Sequence, residues 1–189
     1  MSTSRAAYHH GDLAHALEAA AMRLLEEKPA QEISLREVAR SANVSHNAPY
    51  HHFADRQGLL KVLAERSMAD LVAVVRSAIA AADEPVSALV AGGGAYIRYA
   101  VQNPHGFDVI YDPTVCIPGE PSATMAPLIV ELEEELRTAA VAVGFAEATD
   151  VLALWGLIHG LGTLCAAGHF ELDAALAAGE AALRRMLPA

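Results

Sequence analysis

Cysteine is scarce in this chain of 189 residues, which contains only Cys116 and Cys165. Two thiols so far apart in the sequence form neither a disulfide framework nor the closely spaced ligand pair of a zinc site. We therefore expect two reduced and mostly buried thiols. No other cluster of ligating residues stands out, so the sequence predicts no bound metal and no cofactor.

Long apolar runs are also missing. No uninterrupted apolar stretch reaches the ~20 residues that a membrane-spanning helix needs. The N-terminus lacks the apolar core of a secretory signal peptide. From these two absences we expect a cytoplasmic protein with no membrane partner.

The pattern typical of strands is nearly absent too, because apolar and polar residues seldom alternate. The chain is instead rich in alanine and leucine, as in the runs at residues 78–82 and 174–182. These residue types favour helices. The sequence therefore predicts an all-α fold.

Basic residues are few, with 13 Lys and Arg against 23 Asp and Glu, a net charge of −10. Such a balance argues against nucleic-acid binding by the chain as a whole. The charges are unevenly distributed, however: residues 1–61 hold seven basic and seven acidic residues and six of the nine histidines. The N-terminal third is therefore the part that phosphates repel least, and we expect few phosphate contacts.

Two short helices joined by a tight turn are predicted within residues 33–53. Leu35 and Val38 recur at helical spacing and would form the inner face of the first helix. Ser34 precedes this helix, and Glu37 follows three residues later, so the pair has the form of a capping box.

The turn is predicted at Ala42–Val44, because asparagine tolerates the left-handed backbone that a tight turn needs. The segment that follows, Ser45–His52, is short and polar, which suits an element lying in the major groove of DNA. Pro49 lies inside this segment and lacks a backbone donor. If Ser45 or Asn47 caps the helix, Pro49 falls near its start, so we expect a short helix that begins late.

These residues carry a resemblance. The segment SLREVARSANVSHNAPYHHFADRQGLL, residues 34–60, resembles the helix-turn-helix of TetR-type transcriptional repressors. The local sequence WGLIHG, residues 155–160, is similar to the Trp-His-Gly motif of one TetR-type subgroup, and YHHGDL, residues 8–13, resembles its opening. The resemblance implies a homodimeric repressor that binds double-stranded DNA and is released by a small-molecule effector.

Two domains are predicted: residues 1–54 as the helix-turn-helix domain and residues 55–189 as the regulatory and dimerisation domain. A polar arm at Met1–Ala7 and a helix at Asp12–Lys28 would open the first. A long helix from Asp55 to about Ala82 would join the two. The next helix contains Gly92–Gly94, for which close packing and a kink or ligand approach are both open.

The resemblance also implies which residues contact DNA. Each subunit would place its second short helix in one major groove, with the half-sites of a palindromic operator ~34–36 Å apart. The candidates for base edges are His46, Asn47 and His51. The candidates for phosphates are Ser34, Arg36, Ser45, Tyr50 and Arg56.

Further candidates lie in the C-terminal part. Aromatic and polar side chains would line an effector cavity: Tyr96, Tyr99, Phe107, Tyr111, Met125, Trp155 and His159. Small and apolar positions on the last two helices would pair across a two-fold axis in a four-helix interface: Ala153, Gly156, Gly160, Leu164, Leu176 and Leu183. A monomer core would also explain those helices, and the resemblance favours the dimer.

Two other functions remain open at this stage. An all-helical enzyme would depend on the region of His105 and His159, but no nucleophile elbow, HExxH or phosphate loop is present. A helical adaptor that binds only protein leaves the polar helix beside a tight turn unexplained. We therefore predict a regulator and not an enzyme, with no catalytic residues.

Overall fold

The computed structural model describes residues 4–145 and 147–187, with side chains from Leu13 onward. These residues form eight α-helices and no strands, so the predicted all-α fold is confirmed. Two single-turn 3-10 helices, Ala30–Glu32 and Ala48–His51, lie between the first three α-helices. The α-helices are α1 Ser4–Glu27, α2 Leu35–Ser41, α3 Arg56–Ala80, α4 Pro85–Gln102, α5 Pro104–Tyr111, α6 Met125–Val141, α7 Ala148–Ala166 and α8 Leu172–Met186.

The first helix begins earlier than predicted. α1 starts at Ser4 instead of Asp12, so most of the predicted polar arm is helical. The reason is that Ala6 and Ala7 favour helix, and Gly11 costs the helix only ~1 kcal/mol. Residues 1–3 of the arm lie outside the described residues, as do the side chains of the YHHGDL motif before Leu13.

The N-terminal head, residues 13–63, has its own apolar core. Leu17 on α1, Val38 on α2 and Leu59 on α3 are each fully buried. Phe53, which ends the polar segment after the turn, is also buried among them. The buried residues of α1 therefore pack under the helix-turn-helix segment, as their helical spacing allows.

Helix α3 connects the head to the remainder of the chain. Asp55 caps it, because its Oδ1 accepts a hydrogen bond from the Gly58 backbone N–H at 2.8 Å. The helix has 25 residues and is therefore about 37 Å long. Leu59 and Leu63 near its start are buried, and Leu71 and Val75 further along are buried too. One continuous helix thus serves both parts of the molecule.

Helix α4 is central to the C-terminal part, where it packs against α3, α7 and α8. Close packing against other helices accounts for Gly92 and Gly93. A Cβ added to Gly92 would lie 2.8 Å from Ile79 Cγ1, and one added to Gly93 would lie 3.0 Å from Ile158 Cδ1. Gly94 faces the Arg98 side chain. The helix is unbroken through all three positions.

Helix α7 is apolar on more than its packed face. By length and composition alone it is long and apolar enough to cross a membrane. This differs from the expectation that no apolar stretch reaches that length. Only 22% of its most apolar window is buried. Core helices of soluble proteins have the same composition but are mostly buried, which α7 is not within one subunit. Its inner positions Leu154, Ile158 and Cys165 are buried, whereas Leu152 and Leu164 are exposed.

The contact between α7 and α4 generates a prediction at Gly162. A Cβ added there would lie 3.3 Å from the Ala100 Cβ and 3.7 Å from the Ile97 Cα. Gly162→Val should therefore lower the free energy of unfolding by ~1–3 kcal/mol through overpacking, as measured by denaturant titration. Gly58→Ala is the control, since the nearest atom to its Cβ would be 3.7 Å away. A wild-type unfolding free energy in Gly162→Val would contradict this packing.

Candidate nucleic-acid interface and ligand cavity

The capping box at the start of α2 is confirmed. Ser34 Oγ accepts from the Glu37 backbone N–H at 3.3 Å, and the Ser34 backbone N–H donates to Glu37 Oε2 at 3.0 Å. Lys28 Nζ donates to Glu37 Oε1 at 2.6 Å. The hydrogen bonds that the Glu37 carboxylate accepts, from Lys28 first and then from the hydroxyl and backbone N–H of Ser34, lower the pKa of Glu37 to about 2. The Ser34 hydroxyl also donates to Glu37 at 2.7 Å, so a phosphate would have to compete with an internal partner for it.

The predicted tight turn follows α2. Asn43 has a φ of +54° and is the one residue other than glycine with positive φ in the described ranges. The Val44 backbone N–H donates to the Ala39 carbonyl at 3.0 Å and closes the turn. Asparagine adopts the left-handed backbone conformation more readily than most residues, which is why the turn is predictable here.

The polar element after the turn is shorter than predicted: it is a single 3-10 turn, Ala48–His51, and not an α-helix. Pro49 is the reason, because it has no N–H to donate to the Ser45 carbonyl four residues back. The Ala48 N–H bonds that carbonyl instead, at 3.0 Å. At the other end, the Phe53 N–H donates to the Pro49 carbonyl at 2.7 Å.

The 3-10 turn has a buried side and an exposed side. Ala48 and Pro49 are buried, and Tyr50 is 52% exposed. The candidate residues for base edges and phosphates in this segment all face solvent: Ser45, His46, Asn47, Tyr50 and His51. We call these five residues the polar strip. Arg36 on α2 is exposed as well.

Two nearby residues are held by the protein itself. Arg56 donates a hydrogen bond to the Gln31 carbonyl. The two residues are 25 positions apart, so no local sequence pattern predicts this contact. His52 Nε2 lies 3.0 Å from Glu18 Oε1, and Arg66 Nε donates to Glu18 Oε2 at 2.9 Å. Burial raises the pKa of Glu18, but the hydrogen bonds from Arg66 and His52 outweigh it and leave that pKa below its ordinary value.

The C-terminal part contains a cavity of about 810 Å³ between α3, α5, α6 and α7. Three of the predicted effector-binding residues line it, Tyr111, Met125 and Trp155. Much of its wall is apolar, as the side chains of Met68, Ile110, Val115, Ile129, Leu132 and Val151 indicate. Its volume falls in the range typical of small-molecule sites.

Three further predicted residues form a layer behind this wall. The Tyr96 hydroxyl lies 2.6 Å from the Tyr111 hydroxyl and 2.8 Å from His159 Nδ1. Phe107 packs against His159, with ring centroids 5.6 Å apart. Trp155 stacks on His159, with ring centroids 5.2 Å apart. Burial raises the pKa of both tyrosines and lowers that of His159, so all three side chains are neutral near pH 7.

Tyr99 requires a correction. Its hydroxyl donates to the Ser67 carbonyl at 2.8 Å in the buried contact between α3 and α4. It does not line the cavity. The Tyr96 hydroxyl bonds Tyr111 on α5 and His159 on α7, whereas that of Tyr99 is taken up by the α3 backbone.

The segment between α5 and α6, residues 112–121, forms a further wall of the cavity and was predicted only as a loop. It also contacts the head: Asp112 accepts from Gln31, and the Thr114 carbonyl accepts from Gln57 Nε2 at 2.6 Å. Within the cavity, Ser122 Oγ donates to Glu65 Oε1 at 2.5 Å. No local sequence signal marks these contacts, because the partners are more than fifty residues apart.

The outer face of α7 carries most of the predicted interface residues. Ala153, Gly156 and Leu164 are exposed, and a Cβ added to Gly156 or Gly160 would meet nothing within 4 Å. Leu176 on α8 is half-buried. Leu183 requires a correction: it is only 2% exposed and packs inside the chain near Gly93.

No group of three or more potential metal ligands occurs among the residues that the structure describes. Cys116 and Cys165 are free thiols, and Cys165 is buried. Burial, followed by the charge of Glu65, raises the pKa of the Cys116 thiol. The Cys116 thiol is therefore not disposed to ionise, which argues against a nucleophilic role for it.

Comparisons with known families agree with this architecture. The family described as bacterial regulatory proteins, tetR family, matches residues 17–63. The family described as tetracyclin repressor-like, C-terminal domain, matches residues 89–189, more than half of the chain. Among curated proteins none matches the sequence.

Several solved structures are similar over nearly the whole chain. A protein of unknown function from Rhodococcus sp. RHA1 is 30% identical, with a TM-score of 0.76 over 95% of this chain and 97% of its own. The TetR family transcriptional regulator PfmR from Thermus thermophilus is 25% identical, with a TM-score of 0.61 and coverage of 91% and 96%. A tetR-family regulator from Streptomyces coelicolor is 18% identical, with a TM-score of 0.68 and coverage of 92% and 80%, and shows the fold alone.

The lowered pKa of Glu37 generates a prediction on acid stability. A carboxyl whose folded pKa of about 2 lies below its ordinary 4.5 stabilises the fold above that ordinary value and loses this contribution as pH falls. Glu37→Gln should therefore be less stable than wild type near pH 6, with the difference shrinking between pH 4.5 and 2. Denaturant titrations across pH measure it, with the exposed Glu32→Gln as control. A difference that stays constant with pH would contradict the prediction.

Proposed function

Because the chain belongs to the TetR family of bacterial regulatory proteins and is a DNA-binding transcriptional regulator, we propose that it is a repressor acting as a homodimer on a palindromic operator. A small molecule in the cavity would release it. The observation that carries the proposal is the exposed polar strip. The neighbouring Pro49 and Phe53 are buried in the core of the head and hold this segment in place.

DNA contact is proposed at the polar strip together with Arg36. His46, Asn47 and His51 would reach base edges, and asparagine pairs with adenine through two hydrogen bonds. Ser45, Tyr50 and Arg36 would contact phosphates, whereas Ser34 and Arg56 would do so only by exchanging their internal partners. His52 is assigned to the head, since it pairs with Glu18.

The domain division is proposed at residues 54 and 55, with the start of α3 shared between the two parts. Trp155 and His159 support membership of the subgroup with a Trp-His-Gly motif. We propose that the protein acts in the cytoplasm, as its DNA target requires, and that it has no catalytic activity. The hydrogen-bond partner of His159 is a phenol, and no carboxylate pairs with it in the part of the chain described.

Dimerisation is proposed through the outer faces of α7 and α8. Leu164 and the glycines at positions 156 and 160 leave an apolar and nearly flat surface on α7, which allows another backbone to approach closely. A second copy of the chain packed there would bury the face that makes α7 unusually apolar for an exposed helix. Leu183 is excluded from this interface because it is buried in the subunit.

Communication between the cavity and the head is proposed through residues 112–121. This segment lines the cavity and is bonded to the head through Gln31 and Gln57. A ligand that displaces it would alter the position of the polar strip. A ligand lowers DNA affinity only by as much as it prefers the conformation that does not bind DNA.

A selection of bound sequences from random duplex DNA tests the proposed function. We expect a palindrome with half-sites ~10 base pairs apart, one per subunit. Asn47→Ala should then weaken binding to that operator by ~1–3 kcal/mol through the loss of a base contact. The fold should be unaffected, because the Asn47 side chain makes no capping hydrogen bond. Fluorescence anisotropy measures the affinity, with the exposed Gln102→Ala on α4 as control. Recovery of no palindrome would refute the proposal.

The dimer interface is tested by Leu164→Glu, which places a charge on the exposed apolar face of α7. Sedimentation velocity should show a dimer for wild type and a folded monomer for this variant, because a buried, unpaired carboxylate is costly. Val141→Glu is the matched control, since Val141 on α6 is 46% exposed and Leu164 42%. A dimer that persists in Leu164→Glu would exclude this face.

The link between head and cavity is tested through the Cys116 thiol, which lies on the linking segment. In a Cys165→Ser background, operator DNA should slow the reaction of Cys116 with a disulfide reagent. DNA would hold the head in one position, and the hydrogen bonds from Gln31 and Gln57 would then hold residues 112–121 as well. Gln57→Ala, which loses the hydrogen bond to Thr114, should reduce that slowing. The same slowing in both proteins would show that the bond transmits nothing.

A further inference from the structure

We infer that the cavity binds a largely apolar molecule that carries a hydroxyl group and no negative charge, and that this hydroxyl pairs with the Tyr111 hydroxyl. The inference rests on the proposed function only in treating the cavity as a ligand site. It goes further in assigning the ligand's chemistry, from the wall, the charges and the hydrogen-bond chain that ends at Tyr111.

The wall of the cavity excludes a mainly polar ligand. Met68, Ile110 and Val115 line it from α3, α5 and the segment after α5, and Met125 and Leu132 line it from α6. All five side chains are buried. A polar ligand placed against them would lose hydrogen bonds to water without replacement, whereas an apolar surface gains ~25 cal/mol for each Å² buried.

The charges at the cavity disfavour an anion. Its lining includes four carboxylates, Glu65, Glu120, Glu133 and Glu134, against two cations, Lys61 and Arg137. Arg137 donates to Glu134 and faces solvent, and Lys61 is exposed. An anionic ligand would therefore meet a net negative lining and no buried cation within it.

Tyr111 supplies a polar contact in this apolar wall. Its hydroxyl is hydrogen-bonded to Tyr96, which bonds His159 Nδ1. A phenol offers one proton and two lone pairs, so Tyr111 retains capacity for another hydrogen bond after pairing with Tyr96. Because Tyr111 also lines the cavity, a ligand is the partner within reach of that capacity.

The direction of the hydrogen-bond chain depends on the tautomer of His159. If Nδ1 carries no proton, Tyr96 donates to it and Tyr111 donates to Tyr96, which leaves a lone pair of Tyr111 for the ligand. If Nδ1 is protonated, the chain reverses and Tyr111 has a proton to donate. A hydroxyl both donates and accepts, so it pairs with Tyr111 in either state. A carbonyl only accepts, so it pairs in only one.

Three probes of similar shape test the inference by isothermal titration calorimetry at pH 7. They are 2-naphthol, 2-methylnaphthalene and 2-naphthoate, which differ only in carrying a hydroxyl, a methyl or a carboxylate. Wild type should bind 2-naphthol about twofold to tenfold more tightly than 2-methylnaphthalene, the range expected of one net hydrogen bond. It should bind 2-naphthoate most weakly.

Tyr111→Phe should remove the preference for 2-naphthol and leave the affinity for 2-methylnaphthalene unchanged. Tyr99→Phe is the matched control: it deletes a hydroxyl that bonds the Ser67 carbonyl outside the cavity, so the preference should persist. Tightest binding of 2-naphthoate, an equal affinity for the two neutral probes, or a preference that survives Tyr111→Phe would each overturn the inference.

The outcome separates this inference from the proposed function. Operator binding is measured in the same samples by fluorescence anisotropy. If the probes bind in the expected order but leave the operator bound, the hydroxyl site stands and the effector role fails. If none of the probes binds to a protein that still binds its operator, the inference on ligand chemistry fails and the DNA-binding function stands.

Discussion

The burial of α3 along its whole length is the constraint on which the rest of the molecule depends. Leu59 and Leu63 hold its first turns in the core of the head, and Leu71 and Val75 hold its later turns against α4 and the C-terminal part. An α-helix of 25 residues bends little without a proline or an inserted group. The head therefore takes its orientation from the same element that forms one side of the cavity.

Within the head, a second constraint acts at much shorter range. Pro49 and Phe53 are buried, and they hold the 3-10 turn that carries Tyr50 and His51 of the polar strip. A short, rigid element loses little conformational entropy on binding, which compensates in part for the small number of contacts it offers. The head also carries no net positive charge, since its six basic residues are matched by six acidic ones. We therefore expect shape and base contacts to contribute more to its affinity for DNA than phosphate attraction.

Local chemistry in the sequence predicted the features whose partners are close in the chain. The capping box of Ser34 and Glu37, the turn at Asn43 and the start of α3 after Asp55 all follow from residues within a few positions of each other. Features set by distant partners were not predictable in this way. Tyr99 and Leu183 looked like site residues and pack internally, while the hydrogen bond of Gln57 to Thr114 left no local signal.

The distance between the two heads of the dimer shows most directly whether both polar strips can reach one side of a duplex. A spin label at the exposed Ser41, introduced as Ser41→Cys with Cys116→Ser and Cys165→Ser, allows double electron–electron resonance between subunits. If the dimer binds two successive major grooves of operator DNA, we expect one narrow distance distribution. It should lie close to the ~34–36 Å that separates such sites on one side of the duplex. A broad distribution, or no dipolar coupling between the labels, would contradict it.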